Sequence, residues 1–133
     1  MKFVKQKHKN GCAVASLAML SGIGYDKVIK VVHPFYKNYG QPRRYPGVHI
    51  EQVLRSMEKL GLQFRVSCLK QDVTKLKNNA IIAVYIAPGS RHAVVWDAKR
   101  KKILDPWWKP SKIKITKHYV QKHMAYLAEV LKQ

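Results

Sequence analysis

The stretch Gln6-Lys-His-Lys-Asn-Gly-Cys12-Ala-Val-Ala-Ser-Leu-Ala-Met-Leu20 joins a basic arm to a run that is apolar nearly all round. Residues 12–20 are good helix formers and Gly22 supplies a stop, so the run reads as a central helix buried on most sides. Cys12 opens that helix. A thiol in a first helical turn meets unpaired backbone N–H groups and the positive end of the helix dipole, which favour the thiolate, and the preceding lysines add positive field. Taken alone, a cysteine on an apolar helix is more often a small core residue. What the rest of the chain brings to Cys12 decides between the two.

Outward from that run, residues 25–33 read as a shorter helix ended by Pro34, and residues 34–46, rich in Pro, Gly, Tyr and Arg, as a loop. Residues 48–60 form an amphipathic helix pattern with Ile50, Val53, Leu54 and Met57 on one face and Gly61 at the C-terminal cap. The period then becomes strand-like. Residues 64–69 alternate, which puts Cys68 on an apolar face with Phe64 and Val66, as a buried strand residue. Residues 81–87 and 93–96 read as buried strands about a Pro88-Gly89 turn, and 103–104 and 113–115 as short ones. Val120, Met124, Leu127 and Leu131 recur at helical spacing and predict a C-terminal helix. Helices first and an antiparallel sheet second is an α+β arrangement, expected here as one domain over residues 1–133.

His92 follows directly on the 88–91 turn, so it falls at a sheet end rather than in mid-core. If the chain reverses about Ala98-Lys99, His92 lies opposite Asp105 and both side chains share a face. Asp97, the rival carboxylate, is five residues along the same strand and points to the other face. Asp105 is thus the better orienter of the imidazole, fixing its tautomer and stabilising the imidazolium formed when a thiol loses its proton. Gln6, six residues before Cys12, is a candidate side-chain donor to a tetrahedral oxyanion, although this spacing alone is unremarkable.

Gln6-x5-Cys12 followed by Ala-Val-Ala-Ser-Leu-Ala-Met-Leu, a Gly47-Val-x5-Leu54 helix ending in Leu60-Gly61-Leu62, His92-Ala-Val-Val, and Leu104-Asp105-Pro106 together resemble the bacteriocin-processing (double-glycine leader) peptidase family. The resemblance runs from about residue 3 to residue 110. It implies a papain-like cysteine peptidase fold, with the nucleophile on the central helix packed on a small antiparallel sheet. It implies that Gln6 is the oxyanion donor, Cys12 the nucleophile, His92 the general base and acid, and Asp105 the orienter. The family usually has Asp before the cysteine and Gly after it, where this chain has Gly11 and Ala13. Its members are typically fused to an export transporter, whereas this sequence has neither a membrane segment nor a phosphate-binding P-loop. The expectation is therefore a stand-alone cysteine peptidase or related amide-bond hydrolase acting on a peptide or protein, with deamidation and acyl transfer open. The alternative is an inactive basic module of the same fold.

Charge is the second message. Lys and Arg number 26 against 7 Asp and Glu, a formal net charge of +19, with clusters over residues 2–9, 43–44, 99–102 and 109–117. Such a surface attracts nucleic acid or acidic protein partners through long-range field and counterion release. No apolar run reaches the roughly 20 residues that span a bilayer. The basic arm and apolar run imitate a secretory signal, but that run contains the candidate nucleophile, so a cytoplasmic protein is expected. Two cysteines make a poor disulfide framework. His118 and His123 are not at the i, i+4 spacing of a helical metal pair, so neither metal nor cofactor is expected.

Overall fold

The apolar run that begins at Cys12 forms α1 (Cys12–Ser21), in which Ala13 through Leu20 are all buried. Gly22 ends it in the left-handed region, at φ 74°, where a side chain would be strained, and gives its N–H to the Ala18 carbonyl. The computed structural model describes residues 1–34, 48–67, 71–87, 90–107 and 113–132. The expected 34–46 loop beyond Pro34, the Pro88-Gly89 turn, Cys68 and Trp108 lie outside the described residues.

Helices α2 (Tyr25–Val32) and α3 (Ile50–Lys59) pack beside α1, burying Val28, Ile29 and Val53 with Met57. Strands β1 (Gln63–Ser67), β2 (Ala80–Ala87), β3 (Ser90–Asp97), β4 (Lys102–Leu104) and β5 (Met124–Lys132) form one sheet in the order β1-β5-β2-β3-β4, with antiparallel neighbours throughout. The sheet is covered on both faces. Ile81, Ala93, Val95 and Ala128 face the three helices. Ile82, Val94, Trp96 and Leu127 face a second cluster closed by Val73 and by Val120 of α4 (Lys117–His123). Among the described residues no single helix is long and apolar enough to cross a membrane.

Three sequence expectations change. The C-terminal helix stops at His123, and Met124–Lys132 is strand β5, inserted between β1 and β2. A strand buried on both faces loses its alternation, and a continuous apolar run then fits a helical template as well as an extended one. Residues 113–115 form no strand. Instead Ile115 packs on the second cluster, just before Thr116 caps α4 by accepting the Tyr119 N–H. The hairpin register also differs: Val95 pairs with Leu104 and Asp97 with Lys102. The reversal is a four-residue turn, 98–101, with Lys101 at φ 54° and the Arg100 N–H donated to Asp97 Oδ1. A displacement by two residues preserves parity, so Asp105 keeps the face of His92.

Candidate active site

Cys12 is the first residue of α1, where the leading N–H groups of a helix have no intrahelical acceptor. Its carbonyl is held from within the helix by Ser16 Oγ at 2.7 Å. Its sulfur accepts the backbone N–H of Ala93 at 3.4 Å, which fixes the helix start against β3 beside His92. His92 is 3% exposed. Its Nε2 meets Asp105 Oδ1 at 2.6 Å, and the ring borders the same cleft as the Cys12 sulfur. With Nε2 committed to the carboxylate, Nδ1 is the nitrogen left for sulfur. Burial pulls the imidazolium pKa down, but the Asp105 carboxylate and the Cys12 sulfur outweigh it and hold it at about 9. The structure thus brings Cys12, His92 and Asp105 to one end of the sheet.

Trp107 completes the imidazole side. Its N–H donates to Asp105 Oδ1 at 3.1 Å, and its ring stands edge-on to His92, centroids 4.8 Å apart at 84°. Asp97, the rival carboxylate, is not at the site. It is buried at the far end of β3 and serves the 98–101 turn.

The structure places Gln6 differently from an open oxyanion donor. Its Nε2 gives both protons to carbonyls, of His8 and Lys9, each at 2.9 Å. Exchanging the amide ends would set an oxygen against two carbonyl oxygens, so the orientation is dictated. The Gln6 backbone N–H reaches the Pro106 carbonyl at 2.8 Å, tying the basic arm to the residue after Asp105.

Sequence reasoning missed Tyr25. Its hydroxyl lies 2.8 Å from His8 Nδ1. Burial pushes its pKa up to about 12, so it stays protonated. A Cβ on Gly11 would collide with that hydroxyl oxygen. The departure at Gly11 thus has a cause: Tyr25 from α2 fills the space beside the residue before the cysteine. Gly11 was the available signal, a bare position next to a candidate nucleophile.

A cleft of about 560 Å³ opens over Cys12 and His92, between the α1 and α3 ends and the helix-facing side of the sheet. Its apolar wall includes Val48, Ile50, Val53 and Ile86, and Tyr126 of β5 borders it. Among the described residues no group of three or more His, Cys, Asp or Glu side chains could hold a metal ion.

No family model and no curated protein matches the chain. Solved structures do. The peptidase domain of Streptococcus ComA, a bifunctional ABC transporter involved in a quorum-sensing pathway, superposes with a TM-score of 0.74 at 16% identity, covering 99% of this chain and 98% of that one. A double-glycine-motif protease from an AMS/PCAT transporter, in complex with the leader peptide, gives a TM-score of 0.56 at 21% identity, covering 96% of this chain and 89% of its own. At these identities the likeness is one of fold, and it spans nearly the whole chain: this protein has the papain-like fold of double-glycine-motif peptidase domains.

Proposed function

We propose that the chain is a papain-like cysteine peptidase with Cys12 as nucleophile, His92 as general base and acid, and Asp105 as orienter. The observation that carries this reading is that Cys12, its sulfur on the Ala93 N–H, and His92, 2.6 Å from the Asp105 carboxylate, face one open cleft. In the reaction, the sulfur attacks a peptide carbonyl carbon and the proton it has lost resides on His92. The resulting oxyanion is met by the free N–H groups of the first turn of α1, with Gln6 bracing the turn that presents them. His92 then protonates the leaving amine and afterwards takes a proton from the water that releases the acyl group. Asp105, fixed by two hydrogen bonds, keeps Nδ1 aimed at sulfur throughout.

Because one fold neighbour is a double-glycine-motif protease held with a leader peptide, peptides containing a Gly-Gly bond are the first substrates to test. Cleavage is read by intact mass spectrometry. The wild-type chain should cut and Cys12→Ala should not. Iodoacetamide at pH 6 should label Cys12 much faster than Cys68, and His92→Ala should slow it. Equal, sluggish labelling of the two cysteines together with uncut peptides would defeat the peptidase assignment.

A further inference from the structure

Among the described residues the cleft carries basic side chains and no carboxylate lines it. Arg91 and Lys9 line it. The chain has seven side-chain carboxylates, all among the described residues, and none is in the lining. Four are engaged elsewhere, Asp26 with Lys7, Glu129 with Arg65, Asp97 with Arg100 and Asp72 with Thr74, and Asp105 is taken up by His92. Glu51 and Glu58 stand exposed on α3. Among the described residues no carboxylate faces Arg91, which leaves its charge open to a ligand's carboxylate.

Arg91 stands exposed at the rim of this cleft. It sits one residue before His92 and directly across the ladder from Tyr85. Its guanidinium lies 5.4 Å from the centroid of the Tyr85 ring, a cation–π contact that leaves its edge donors open to a ligand. The Tyr126 hydroxyl, on the same face of the sheet, is near enough to feel the Arg91 charge and stays protonated with a pKa of about 12, as burial disfavours the phenolate. A cation with a hydroxyl donor nearby, above an apolar wall, is the complement of a carboxylate on an otherwise apolar peptide. We propose that this cleft selects peptides carrying a Glu or Asp within a few residues of the scissile bond, with Arg91 as the residue that reads it. The proposal rests on the peptidase reading in taking the cleft as the place where the peptide lies.

The test separates binding from turnover. Three fluorescent peptides, identical except for Glu, Gln or Lys at two to four residues before a Gly-Gly bond, are titrated against Cys12→Ala protein. The Glu peptide should bind about tenfold more tightly than the Gln peptide, the scale of one charge-assisted hydrogen bond at a partly open site. Arg91→Gln should erase that difference, Arg91→Lys should keep part of it, and Arg91→Glu should favour the Lys peptide. Equal affinity for all three, or a Glu preference that survives Arg91→Gln, overturns the proposal. The same peptides are then given to the wild-type enzyme. Equal kcat/KM on all three overturns the selectivity and leaves the peptidase standing. Glu-selective binding without turnover of any peptide removes the peptidase and leaves the carboxylate site.

Discussion

The two sides of the site are built by different means. The imidazole side is a product of the β-ladder: His92 and Asp105 meet because strand parity puts them on one face of a hairpin, and Trp107 then closes over them. The thiol side has no ladder. The turn over residues 6–11 is held by side chains turned into it, with Gln6 on the carbonyls of His8 and Lys9 and Tyr25 on His8. A repeat forgives error, since a two-residue change in register left His92 and Asp105 on the same face. A turn packed by one hydroxyl does not, because a single methyl group at Gly11 has no room.

The largest effects should come from breaking the imidazole side. His92→Ala should cost roughly 10⁴-fold or more in kcat/KM, and Asp105→Asn on the order of 10⁴-fold by unsettling the tautomer. The pH profile gives the sign. The folded-state pKa of His92 is raised from 6.5 to about 9. Its charged form therefore stabilises the fold fully below about pH 6.5, and that contribution fades as pH rises through about 9. The His92 imidazolium is lost over the same range, so kcat/KM should fall on the alkaline side near pH 9. Asp105→Asn should move that limb to lower pH. A limb that stays in place would take Asp105 out of the site.

On the thiol side the expected effect is smaller and reversible. Gly11→Ala should lower kcat/KM and the rate of Cys12 alkylation by about 10²-fold, the scale of a displacement of about 1 Å in a reacting group. Tyr25→Phe removes the atom in the way. The double variant should recover most of the alkylation rate that Gly11→Ala loses, while Tyr25→Phe alone costs less than Gly11→Ala. Additive losses in the double variant would mean that Tyr25 does not hold the nucleophile turn.

This contrast also explains what was legible. The helix carrying Cys12, its stop at Gly22 and the pairing of His92 with Asp105 could be read because periodicity and parity are one-dimensional signals. Strand β5 could not, because burial on both faces erases its period, and the order β1-β5-β2 is a matter of tertiary packing. Nor could the bond from Tyr25 to His8, which depends on how α2 docks, or the commitment of both Gln6 protons to the turn that follows it.

The smallest expected effect on the site comes from the far end of the hairpin that carries it. Lys99, Lys101 and Lys102 crowd the turn beyond Asp97, and no chemistry assigned to Cys12, His92 or Asp105 needs them. Five residues of strand separate His92 from Asp97, about 17 Å at strand rise. That is about twice the Debye length of roughly 8 Å at 0.15 M salt, so the site should scarcely feel these charges. Arg100 must be kept, since it stands 3.8 Å from the buried Asp97 carboxylate, whereas Lys101, at φ 54°, should become Asn, which tolerates that backbone. The variant Lys99→Gln, Lys101→Asn, Lys102→Gln should then change kcat/KM by less than about twofold at 0.15 M salt. If the net charge of +19 serves to bind a polyanion, the same variant should weaken binding to duplex DNA. Its log–log salt slope should also flatten by about 0.9 for each phosphate that the variant no longer neutralises. A several-fold fall in turnover would show that the two ends of the hairpin are electrically coupled. Unchanged DNA affinity would move the polyanion surface away from this turn.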